Sequence, residues 1–161
     1  MRLTFTKGTG KHDHLHIERG ALPVETIQCP KQGILPHDMI HYAVESILPL
    51  RGYLTLLREG KPADFSTAGD EVAAAIERLV EAFQAEMWSE RVPAADLIAL
   101  YEHACAASGH AAAPVSEEDV KLIRIRIDEL SAAWAKVPEK GALTVSFGGT
   151  AMHLASPRQF R

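Results

Sequence analysis

In the run Leu35-Pro36-His37-Asp38-Met39-Ile40-His41-Tyr42-Ala43-Val44-Glu45, two histidines stand four residues apart with carboxylates beside them. On a helix turning about 100° per residue, His37, His41, Glu45 and Asp38 share one arc of about 100°, next to an apolar stripe of Ile40, Val44 and Ile47. Histidines at this spacing have Cβ atoms about 5 to 6 Å apart, so both imidazoles can reach one ion at about 2.0 to 2.1 Å. The chemistry expected is that of a divalent metal centre, zinc first, with His37 and His41 as ligands. Glu45 is expected as a third ligand or as the acceptor that fixes an imidazole tautomer, and Asp38 as the group that orients an imidazole or a water on the ion. These two carboxylates are the candidate catalytic groups.

Two ligands do not complete a site. His12, His14 and His16 alternate along an N-terminal segment that reads as a strand, and short connections bring sequential elements together in space. His14 and His16 are therefore the expected additional metal ligands, whereas His103, His110 and His153 each stand alone. A structural explanation competes with this one. Histidines on the rim of an amphipathic helix can simply hydrogen-bond to backbone, and Asp38 suits a helix start because it meets the positive end of the dipole.

The elements that must position these residues are legible as patterns. RLTFT, HDHLHIE and VETIQC alternate as strands, separated by KGTGK and RGALP, and predict an antiparallel meander with Leu15 and Ile17 on one face and the histidines on the other. Pro36 marks the start of a helix. Pro49 and Gly52 interrupt IHYAVESILPLRGYLTLLREG, which reads as either one kinked helix or two short ones, with the kink favoured. A second helix carries the stripe Val72, Ile76, Leu79, Val80, Phe83 and Met87, and a third covers PAADLIALYEHACAAS. Ser116 to Asp119 resembles a capping sequence ahead of Val120, Ile123, Ile127, Leu130, Trp134 and Val137 on the longest helix. In the tail, Leu143, Val145 and Phe147 alternate before Gly148-Gly149, predicting a hairpin that joins the sheet. The expectation is one α+β domain over residues 1–161, with a small antiparallel sheet made of the N-terminal meander and the C-terminal hairpin and packed with about four helices.

A net charge of -4 argues against a surface that neutralises phosphates, so nucleic acid is not an expected partner. The two cysteines, Cys29 and Cys105, form no CxxC pair, and no apolar run reaches the length of a membrane span. The N-terminal stretch lacks the apolar core of a signal peptide. Together these point to a cytoplasmic protein with no membrane partner and an unknown small-molecule substrate. The alternative is a non-enzymatic module that forms a homodimer or docks a protein partner through alanine-rich helices such as AADLIALYEHACAA, with structural histidines.

His37-Asp38-Met39-Ile40-His41 resembles the HExxH helix of zinc peptidases, with aspartate in place of the glutamate general base. Asp38 is one methylene shorter, a loss of reach of about 1.5 Å, which speaks against peptidase chemistry. The dipeptide His37-Asp38 also resembles the core of HD-type phosphohydrolases, but the further histidine and aspartate of that arrangement are not evident. A broader resemblance covers residues 35–60, which look like a group of uncharacterised bacterial proteins reading approximately LPHD-xx-H-xx-VE. That resemblance implies a bacterial cytoplasmic protein and carries no reaction with it.

Overall fold

The computed structural model describes residues 1–148. Strands β1 (Arg2–Thr6), β2 (His12–Glu18), β3 (Glu25–Pro30) and β4 (Ala142–Ser146) form one antiparallel sheet in the order β3-β2-β1-β4. Register follows from the alternation of side chains. Ile17, Leu3 and Val145 lie side by side, as do Leu15, Phe5 and Leu143, and all six are buried on the inner face. The intervening residues face outward as a polar surface, in which His16 Nδ1 lies 2.9 Å from Thr26 Oγ1 and Thr4 Oγ1 lies 3.2 Å from Thr144 Oγ1. The α+β class, the meander and the union of the C-terminal strand with it are as the patterns require. The remainder of the expected hairpin, from Gly149 onward, and His153 fall outside the described residues.

The core is completed by helices α1 (His37–Glu45), α2 (Tyr53–Arg58), α3 (Glu71–Met87), α4 (Ala94–Ala107) and α5 (Glu117–Ala135), whose buried side chains join those of the sheet, with a 3₁₀ turn at Thr67–Gly69. Among the described residues there are five rather than about four, because the expected kinked helix is two separate ones. Pro49 disfavours a helical Leu48 before it, and Gly52 is extended at φ -103° and ψ -163°, so the chain leaves α1 after Glu45 and restarts at Tyr53. On α5 the expected stripe from Val120 to Trp134, continued by Val137, is buried throughout. Its start is a capping box. Ser116 Oγ accepts from Asp119 N at 3.1 Å, and Asp119 Oδ2 accepts from Ser116 N at 2.9 Å. Asp70 caps α3 by accepting from Ala73 N at 2.9 Å.

On α3 the buried stripe is Ile76, Leu79, Val80 and Phe83; Val72 departs from expectation at 39% exposed, and Ala73 makes the buried contact of the first turn instead. Arg19, after β2, ties the sheet to the end of α2 by donating to Leu57 O at 3.0 Å and Lys61 O at 2.6 Å. No helix among the described residues is long and apolar enough to cross a membrane. Ile76→Ala is expected to cost about 2 to 5 kcal/mol by opening a cavity, whereas Val72→Ala should fall within about 0.5 kcal/mol of neutral. Urea denaturation of the two variants reads this contrast, and equal losses would refute the assigned face.

Candidate metal centre

Helix α1 packs against α3 with its polar edge turned to that neighbour. His37 is half-buried, while His41 is 1% exposed and Glu45 is buried with it. Between the imidazoles stands Glu77 of α3. Its Oε1 lies 2.8 Å from His37 Nε2 and its Oε2 lies 2.8 Å from His41 Nε2, so a single carboxylate spans both rings. The ring centroids are 4.9 Å apart and meet edge to face. The opposite nitrogens are held too. His37 Nδ1 lies 2.6 Å from Gln84 Oε1, and His41 Nδ1 lies 3.0 Å from Glu45 Oε2. The ring of Tyr53, 5.3 Å from that of His41, closes the inner wall, and its hydroxyl donates to Ala63 O at 2.9 Å.

One ligand atom from each of His37, His41 and Glu77 lies within 4.8 Å of the other two. Ligands of a tetrahedral zinc site sit about 3.3 Å apart, given bonds near 2.0 to 2.1 Å, so small side-chain rotations close this set on one ion. Each imidazole already has its Nδ1 beside an outer acceptor and its Nε2 turned inward, the orientation that such acceptors impose on metal-binding histidines. Two nitrogens and a carboxylate, with no fourth protein ligand grouped with them among the described residues, correspond to the donor set of open rather than closed zinc sites.

The same contacts fix the charges when no ion intervenes. Burial works against a charged His41, but hydrogen bonds to Glu45 and Glu77 outweigh it and push its pKa up to about 10. Burial likewise opposes the His37 cation, and its bond to Glu77 leads the effects that raise its pKa overall. Burial would lift Glu77, yet the two histidines hold it far below the usual carboxylate range.

Of the residues singled out in the sequence, His37 and His41 come together with each other and with Glu45. Asp38 does not join them. Among the described residues it makes no hydrogen bond to either imidazole; its Oδ2 faces Cys29 Sγ at 4.0 Å, and burial raises its pKa. At His37 Nδ1, where Asp38 is the expected partner, stands Gln84 Oε1, whereas Glu45 meets His41 Nδ1 as the acceptor, one of the two parts expected of it. His14 and His16 lie on the outer face of β2, with Leu15 and Ile17 pointing to the helices between them, so the sheet itself separates them from the cluster. The residue that joins the two histidines in a group able to hold an ion is instead Glu77, which the sequence pattern does not single out. Its signal was present: Glu77 and Gln84 are seven residues apart, so they share the side of α3 that borders Ile76, Val80 and Phe83. Both cysteines are free and buried, and the Cys29 thiol is pushed up to about 12, first by burial and then by Asp38 and Asp13. Neither is suited to nucleophilic work.

Comparison with protein-family models, curated proteins and solved structures finds no match for this chain.

The charge pattern sets a pH dependence. His41, raised from 6.5 to about 10, contributes stability that is fully present below pH 6.5 and is lost as the pH climbs through about 10. Glu77, lowered from 4.5, contributes stability that is present above pH 4.5 and is lost in acid. The metal-free protein should therefore be less stable at pH 9 than at pH 6 by chemical denaturation, and His41→Ala should flatten that alkaline decline. An unchanged decline in the variant would place its origin elsewhere.

Proposed function

We propose that the protein binds one divalent metal ion through His37 Nε2, His41 Nε2 and Glu77, and that the centre serves metal-dependent hydrolysis of a small-molecule substrate. The observation that carries this reading is the convergence of both Nε2 atoms on one carboxylate while both Nδ1 atoms are held from behind. The two-histidine, one-carboxylate set suits zinc, and also iron(II) where positions are left open. Bound there, such an ion supplies Lewis acidity and lowers the pKa of a coordinated water to about 7. The chain supplies the asymmetry of the site. His41, walled in by Tyr53 and Glu45, is sealed from solvent, whereas the His37 side chain is 36% exposed and marks the side from which a substrate can approach. Asp38, directed at Cys29, is assigned no part in holding the ion.

A second reading rests on a different observation. Leu100, Leu122 and Ile125 are 60%, 40% and 46% exposed on α4 and α5, which favours association with a second copy of the chain. The two readings separate cleanly. Protein purified without a metal-affinity tag should carry, or take up, one zinc per chain by elemental analysis and titration calorimetry. His37→Ala, His41→Ala and Glu77→Ala should each weaken binding by more than the roughly 10- to 100-fold typical of losing an outer partner, while His14→Ala with His16→Ala should leave it unchanged. Failure of the wild-type chain to bind any of zinc, iron, manganese or nickel would end the metal reading. Loss of binding with sedimentation behaviour unchanged would show that the centre and any dimer surface are independent.

A further inference from the structure

The Glu45 side chain is completely buried, and its carboxylate is surrounded by three N–H groups. His41 Nδ1 lies 3.0 Å from Oε2, Leu54 N donates to Oε1 at 3.0 Å and to Oε2 at 3.2 Å, and Thr55 N donates to Oε1 at 3.3 Å. Leu54 and Thr55 belong to α2, so this carboxylate joins the end of one helix to the beginning of the next. At the elbow between them stands Gly52. A Cβ there would fall 2.5 Å from Glu45 Oε1, 2.6 Å from Glu45 Cδ and 3.0 Å from Ile76 Cγ2. The backbone does not require glycine, because φ of -103° is open to any residue. Space does: position 52 has no room for a side chain while Glu45 stays where it is.

We infer that this elbow is the positioning device of the proposed metal centre. Gly52 leaves the space, the amides of Leu54 and Thr55 hold Glu45, and Glu45 fixes the His41 ring with Nε2 presented to the ion. Gly52, Leu54 and Thr55 thereby act on the centre without touching it, and Glu45 is a positioning residue rather than a ligand. The inference rests on the metal reading and adds that the centre is coupled to the loop between α1 and α2. Coupling of this kind is reciprocal, so an ion that favours the held orientation of His41 also favours the held elbow.

The test combines affinity with a local readout. Gly52→Ala should lower zinc affinity by about 10- to 100-fold, the range for loss of an outer partner. Glu45→Asp should do the same, because the shortened side chain no longer spans His41 and α2. In the double variant the alanine methyl no longer meets the carboxylate, so its affinity should equal that of Glu45→Asp alone. Penalties that multiply in the double variant, or a Gly52→Ala protein that binds as the wild type does, would overturn the inference while leaving the metal reading intact. A wild-type chain that binds no zinc overturns both. A second measurement needs no variant and decides alone should Gly52→Ala not fold. On addition of zinc to the wild-type protein, hydrogen exchange at the Leu54 and Thr55 amides should slow by more than at the amides of α4, and equal slowing in both places would refute the coupling.

Discussion

The arrangement of this molecule turns on one carboxylate shared by two imidazoles. Glu77 places one oxygen on each ring, and the rings are only 4.9 Å apart, close enough that two cations would repel without it. Burying ionised groups is costly unless each is matched, and here the match is complete: His41 sits between Glu77 and Glu45, and His37 between Glu77 and Gln84. Two imidazolium protons carry the same charge as one divalent ion. Exchanging the Nε2 protons for such an ion, as the proposed centre requires, would leave the net charge of the cluster unaltered.

From that carboxylate the constraint spreads outward through backbone. Glu77 commits α3 to α1, Glu45 commits α1 to α2, and Arg19 commits the end of α2 to the sheet through the carbonyls of Leu57 and Lys61. The α1–α2 break is therefore more than a concession to Pro49. A continuous helix would have its amides consumed by its own carbonyls, and those of Leu54 and Thr55 would not be free to meet Glu45.

The legible parts of the fold were those set by local periodicity. Leu3, Phe5, Leu15, Ile17, Leu143 and Val145 alternate, and a strand with one buried face leaves them no other orientation. The α5 stripe and the Ser116 cap are equally local. What escaped was set by tertiary contact. His14 and His16 were near in sequence to the helix histidines, but nearness in sequence does not say which face of a strand looks inward; Leu15 and Ile17, being apolar, took that face. Asp38 shares an arc with His37 on a helical wheel, yet the neighbour it meets is Cys29. Glu77 lay some 40 residues away on an element whose pairing with α1 no local pattern encodes. A rule of edges would have served better: each of two packed helices carries a polar margin beside its buried stripe, and those margins are driven together.

The sheet order carries a consequence for synthesis. β1 is an interior strand whose second neighbour, β4, is made last among the described elements: Thr4 meets Thr144 across 140 positions of chain. Until β4 emerges, one flank of β1 offers unpaired amides and carbonyls, with Leu3 and Phe5 lacking the cover of Val145 and Leu143. A ribosome-bound chain thus carries a sticky margin over the 140 positions that separate Thr4 from Thr144, and the closing strand is what seals it.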